Sequence, residues 1–236
     1  DVKVQQQSDE LKEIKEASKS QMTLLAEEED LLRKSFNKAE KLLEETIGVI
    51  TIIVQKKDPY TAGHQRRTSQ LACAIAEDMG LPREQIRIIR IASLLHDLGK
   101  VFIPTEFLAK PGKLSEVEFS MIKAHPDTDY QILKTIAFSC AIADIVHQHH
   151  ERIDGSGYPL GLKGDAIYLE AKIIAVADVV EAMVSDRPHR PAPGIEAALK
   201  EISDGRGTLY DPDAVDACVR LFRERDFTFE VPSRND

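Results

Sequence analysis

The stretch Pro82-Arg83-Glu84-Gln85-Ile86-Arg87-Ile88-Ile89-Arg90-Ile91-Ala92-Ser93-Leu94-Leu95-His96-Asp97-Leu98-Gly99-Lys100 decides how this 236-residue chain is read. Pro82 starts a helix, where its missing N–H costs nothing, and the apolar run carries that helix through Leu94-Leu95-His96. The helix closes on Asp97, directly after Ala92-Ser93-Leu94-Leu95. A charge in that setting is costly unless something pairs with it.

Working outward, short helices punctuated by Gly and Pro follow one another. Thr61 to Met79 reads as a helix ended by Gly80. Ser115-Glu116-Val117-Glu118 is a capping box, opening a helix that ends near His125-Pro126. Ala141 to His150 is a further helix, stopped by the turn-rich Asp154-Gly155-Ser156-Gly157-Tyr158-Pro159. Leu169 to Ser185 is strongly apolar and helical, and Ile195 to Ser203 and Pro212 to Glu224 make two more. No segment shows convincing strand alternation. The fold class expected is all-α, a domain of roughly 180 residues.

Asp9 to Lys57 reads as one long helix, without Pro and with Gly48 as its single Gly. Apolar residues recur every seven positions: Leu25, Leu32 and Ala39 on one series, Met22, Phe36, Leu43 and Ile50 on the other. Ser18, Glu29 and Thr46 interrupt the seam. A helix this long cannot bury its stripe alone, so a parallel coiled-coil dimer or packing on the following domain is expected. The division predicted is 1–57 as a signalling stalk and 58–236 as the catalytic domain.

Composition sets the outer limits. The chain is 42% hydrophobic and 30% charged with no Trp, which suits a soluble helical protein. Its longest apolar stretch, Ile47 to Val54, is far short of a membrane span, and no signal-peptide pattern opens it. A cytoplasmic protein is expected, and Asp1 in place of Met points to a piece of a longer one. Cys73, Cys140 and Cys218 are scattered, which favours a reducing compartment over disulfides or a thiolate zinc site. The net charge of −9 argues against binding a nucleic-acid polymer. A single anionic substrate remains compatible where metals and local cations offset that field.

Six histidines fall between His64 and His150. Any one alone is more often structural; their joint pattern is what matters. His149 and His150 are consecutive, and neighbours on a helix diverge by about 100°, so both reach one metal only where the helix ends. Asp178 lies in the apolar helix Ile173-Ile174-Ala175-Val176-Ala177-Asp178-Val179-Val180, where an acid is a salt-bridge partner or a metal ligand. Mixed His and carboxylate ligands suit Fe, Mn, Ni or Zn in a hydrolytic site.

At this point the sequence resembles the HD-GYP family of metal-dependent cyclic di-GMP phosphodiesterases. His96-Asp97-Leu98-Gly99-Lys100 is similar to the HD signature. His149-His150-Glu151-Arg152-Ile153-Asp154-Gly155-Ser156-Gly157-Tyr158-Pro159 is similar to the second signature, and Gly161, Gly164 and Ile167 continue it. The flanks agree: Asp58 to His64, Lys110 to Leu114, Ala175 to Asp178, and Ser185 to Pro188. The likeness runs from about residue 45 to 220 and implies an HD-type helical bundle behind the coiled-coil-like helix.

The resemblance implies two divalent ions, Fe or Mn first, Ni or Zn also suitable. His64, His96, Asp97 and Asp178 would hold one ion, and Asp97, His125, His149 and His150 the other, with Asp97 bridging. Some members hold a third ion through a Glu where this chain has Tyr60; Tyr60 argues for two, although Asp58 lies nearby. His147 is extra to the pattern. Asp97 and Lys100 are the expected catalytic residues, Lys100 steadying the phosphate or protonating the leaving oxygen. Tyr158, Pro159, Arg187 and Arg190 are expected at the substrate, since arginine pairs bidentately with phosphate and stacks on guanine. His189 stands where Tyr is common, and Glu181 where Asp is common.

The activity implied is metal-assisted hydrolysis of cyclic di-GMP to the linear dinucleotide, then to GMP in some cases. The alternatives are a 3′,3′-cyclic GMP-AMP phosphodiesterase and a catalytically weak nucleotide-sensing scaffold. The partners implied are the cyclic dinucleotide, a second copy along the N-terminal helix, an upstream sensory or receiver domain, and partner domains at the Gly-Tyr-Pro loop.

Overall fold

The computed structural model describes residues 2–57, 63–110, 112–138, 140–185 and 192–229. The described residues are helical and contain no strand. The chain divides into two compact units, Asp1–Thr46 and Ile47–Asp236, the division falling within the first helix.

The first unit is part of α1 (Val2–Lys57), a helix that starts earlier than the sequence predicts. Met22, Leu25, Leu32 and Phe36 stand exposed along it. No helix among the described residues is long and apolar enough to cross a membrane.

The second unit is built on α2 (His64–Asp78), α3 (Arg83–Leu95) and α8 (Leu169–Val184). α2 packs on both α3 and α8, and α9 (Ile195–Asp204) and α10 (Pro212–Glu224) close over them. The core is aliphatic: Leu71 and Ile75 of α2, Ile89 of α3, Ile173 and Ile174 of α8 and Ile202 of α9 are all fully buried. Each such side chain contributes about 1.5–3 kcal/mol. Ile47, Thr51 and Val54 from the last turns of α1 are buried within this unit too.

Short elements bridge these helices. α4 (Thr105–Leu108) and α5 (Glu116–Lys123) follow a 3-10 turn over Leu98–Phe102, and α6 (His125–Leu133) packs on α7 (Ile142–His147). The predicted capping box is present, with Ser115 Oγ accepting from the Glu118 N–H at 3.3 Å and Glu118 accepting from the Ser115 N–H at 2.7 Å. His125-Pro126 does not merely end α5. It opens α6, with Pro126 in the first turn where no N–H is required. α7 ends at His147, three residues before the predicted end, so His149 and His150 emerge beyond it.

Candidate metal centre

Four helix ends converge on one buried spot. His64 begins α2, His96 follows α3, His125 begins α6, and His149 and His150 follow α7, while Asp178 projects from the middle of α8. At a helix terminus the backbone no longer screens a side chain with the next turn, so a row of termini can aim at one point.

The ligand atoms of His64, His96 and Asp178 all lie within 4.8 Å of one another, as do those of His96, Asp97 and His149, and those of His125, His149 and His150. Asp97 stands between these groups. Its Oδ2 faces His64 Nε2 at 3.6 Å and His96 Nε2 at 3.4 Å, while its Oδ1 faces His125 Nε2 at 3.5 Å. On the first side His64 Nε2 also lies 3.1 Å from Asp178 Oδ1. On the second, His125 Nε2 and His149 Nε2 approach to 3.4 Å.

The outer nitrogens explain how the inner ones are aimed. His96 Nδ1–H donates to the Ser93 carbonyl at 2.7 Å, His125 Nδ1–H to Ile122 at 2.7 Å and His149 Nδ1–H to Val146 at 2.6 Å. Each imidazole is thereby set with its Nε2 lone pair inward. His64 Nδ1 is held instead by the Glu181 carboxylate. Glu181 is buried and also accepts from Arg67 Nε at 2.6 Å and Ser185 Oγ at 2.5 Å.

The electrostatics follow from burial and neighbours. Burial, with the neighbouring His150 and His96, keeps His149 well below the ordinary imidazole range, and burial likewise lowers His150 well below it. Burial and the nearby Lys100 lower His125 to about 4. Burial opposes a charge on His64, but Asp178 and Glu181 outweigh it and raise the group to about 10. Burial also opposes ionisation of Asp97, yet His96, Lys100 and His125 hold its carboxyl well below the usual range.

This donor set fits a divalent ion. His96 Nε2 is buried with no hydrogen-bond partner among the described residues, a costly state for a polar atom that a cation relieves. The convergent groups are imidazoles and carboxylates, and none of Cys73, Cys140 and Cys218 is among them. Such a set suits Fe, Mn, Ni or Zn in a hydrolytic site.

Around the cluster, Lys100 lies on the 3-10 turn that follows α3, with Nζ 2.7 Å from Asp97 Oδ1. Asp129, fully buried, accepts from the Gly99 N–H behind that turn. His147 points away, 2.8 Å from Asp127 and stacked on Tyr130. Tyr158 stacks on His150 with ring centroids 4.6 Å apart. The loop beyond Pro159 is gathered by buried Glu151, whose carboxylate accepts from the N–H groups of Leu160 at 2.7 Å, Gly161 at 3.2 Å and Leu162 at 3.0 Å.

Tyr60, Arg187, His189 and Arg190 lie outside the described residues. The sequence reading gave no role to Asp129 or Glu151 and treated Glu181 only as a replacement. The available signal was an acid in an apolar helix or beside a Gly-rich turn, which must find donors.

The HD domain family matches residues 48–214. The chain is 44% identical over 194 residues to the cyclic di-GMP phosphodiesterase response regulator RpfG of Xanthomonas campestris pv. campestris, covering 81% of this chain and 51% of that protein. It is 38% identical over 161 residues to the 3′3′-cGAMP-specific phosphodiesterase 3 of Vibrio cholerae, covering 68% of this chain and 35% of that one. The chain thus spans about half or less of the length of these curated relatives. The crystal structure of a cyclic GMP-AMP specific phosphodiesterase of V. cholerae shares the fold, with a TM-score of 0.60 and 19% identity, over 77% of this chain and 49% of that one. With the match running from the last turns of α1 into α10, the chain belongs to the HD domain family, in the HD-GYP branch marked by Gly157-Tyr158-Pro159.

Proposed function

We propose that this chain is the catalytic region of a metal-dependent phosphodiesterase that linearises cyclic di-GMP. The observation that carries the reading is the division of Asp97: one carboxylate oxygen faces His64 and His96 and the other faces His125. That is the disposition a carboxylate needs to serve two ions at once. His64, His96, Asp97 and Asp178 would hold one, and Asp97, His125, His149 and His150 the other. Two such ions, Fe or Mn first and Ni or Zn as alternatives, supply Lewis acidity towards a phosphodiester.

The chain's own residues do the rest. Backbone carbonyls and Glu181 fix the imidazoles, so little reorganisation accompanies the reaction. Lys100 holds an ammonium beside Asp97, placed to steady the reacting phosphate or to protonate the departing 3′ oxygen. Tyr158 and Pro159 shape the pocket, and Arg187 and Arg190 grip phosphate and guanine.

The resemblance to a 3′3′-cGAMP-specific phosphodiesterase supports a second reading within the class, with cyclic GMP-AMP as substrate. A nucleotide-sensing scaffold fits less well, because no member of the donor set is missing. The roles proposed for the two parts are a signalling stalk over 1–57, pairing with a second copy, and a cytoplasmic catalytic domain over 58–236. An upstream sensory or receiver domain and a partner at the Gly-Tyr-Pro loop complete the proposal. Product analysis with both cyclic dinucleotides, on protein reconstituted separately with Fe, Mn and Ni, tests the activity. The linear guanine dinucleotide is the expected product, and absence of turnover with every metal would overturn the reading.

A further inference from the structure

Lys123 ends α5, two residues before His125. Its Nζ lies 4.8 Å from the centroid of the Phe119 ring and 5.0 Å from that of Tyr158. Tyr158 in turn stacks on His150, so the ammonium sits one ring outward from the cluster of His125, His149 and His150. The neighbouring lysines are neutralised: Lys110 pairs with Glu118 and Lys100 with Asp97, each at 2.7 Å. Among the described residues no carboxylate pairs with Lys123.

Two aromatic faces hold a cation by their quadrupoles without cancelling its charge. Lys123 therefore presents a fixed positive charge at the edge of the site, in a chain of net charge −9. Such a local reversal draws in an anion. Lys100 already serves the point where a phosphodiester would react, and the Tyr158 ring separates Lys123 from that point. A cyclic dinucleotide carries a second phosphodiester across its ring, which a single-phosphate ester lacks.

We infer that Lys123, held between Phe119 and Tyr158, binds the phosphate of the cyclic dinucleotide that is not being cut. The inference rests on the phosphodiesterase reading and adds a substrate contact outside the metal cluster. Three proteins decide it, wild type, Lys123→Met and Lys123→Arg, each assayed for metal content and for turnover of cyclic di-GMP, of 3′3′-cyclic GMP-AMP and of bis(p-nitrophenyl) phosphate.

In Lys123→Met the KM for cyclic di-GMP should rise roughly ten-fold or more, as expected for loss of a charge-assisted contact. Metal content should hold, and kcat/KM for bis(p-nitrophenyl) phosphate should fall by less than about three-fold, since that ester has no second phosphate. Lys123→Arg should restore the KM to within about three-fold of wild type. A KM unchanged in Lys123→Met would overturn the inference alone. Equal losses on both substrates with falling metal content would also overturn it, by making Lys123 a structural residue. Wild-type protein inert towards both cyclic dinucleotides would sink the phosphodiesterase reading and this inference with it.

Discussion

At the scale of single residues, Asp97 and Gly157 show two different constraints. Asp97 is buried among four imidazoles and one ammonium and faces both halves of the cluster. Asp97→Ala removes the oxygen donors that the proposed two-ion site would share, so bound metal should fall below the wild-type level and turnover should drop to background; elemental analysis beside the assay checks both. Metal at the wild-type level with substantial activity would defeat the bridging role, and three ions per wild-type chain would defeat the reading of Tyr60. Gly157 is constrained by space: a Cβ there would lie 2.4 Å from the Arg152 nitrogen and 2.5 Å from the Glu151 Cα. That backbone cannot yield without disturbing the Glu151 carboxylate that gathers the loop. Gly157→Ala should therefore cost about 1–3 kcal/mol, read as a lowered denaturation midpoint at unchanged slope.

At the scale of elements, helix type and extent were largely legible. α10 has the predicted bounds Pro212–Glu224, because Asp211 and Pro212 signal a start by local chemistry, Asp211 accepting from the Asp213 N–H at 3.1 Å and the Ala214 N–H at 3.2 Å. The capping box at Ser115 was equally plain. The breaks that build the site were less so. Continuous polar sequence around His125 hides the junction of α5 and α6, and α7 stops at His147 because the chain turns to bury His149. The 3-10 turn over Leu98–Phe102 left no periodic signal, being too short to have a face.

At the scale of the whole molecule, α1 carries a testable demand. Met22, Leu25, Leu32 and Phe36 are 57–69% exposed in the single chain, and each would contribute about 1.5–3 kcal/mol if buried against a second copy. Glu29 on the seam opposes pairing, so a dimer of moderate strength is expected. Light scattering at micromolar concentration should give twice the chain mass for the full chain and a monomer for one beginning near Glu44. A monomeric full chain, or equal dimerisation of both, would show that the helix is not the pairing element.

Periodicity, caps and the Gly-rich turn are local properties of the backbone, and they determined an all-α chain with a long leading helix. The motifs at His96-Asp97 and His149 to Pro159 likewise supplied His96, Asp97, His149 and His150, whose ligand atoms the structure brings into the cluster of imidazoles and carboxylates. Only the tertiary structure decided that Asp97 turns its two oxygens to different imidazoles, that three Nδ1 atoms spend their protons on carbonyls, and that Glu181 holds His64 across 117 residues of sequence. Such contacts are set by which helix faces bury together, and the cost of closing the intervening chain is met by the whole packed core and by no local signal.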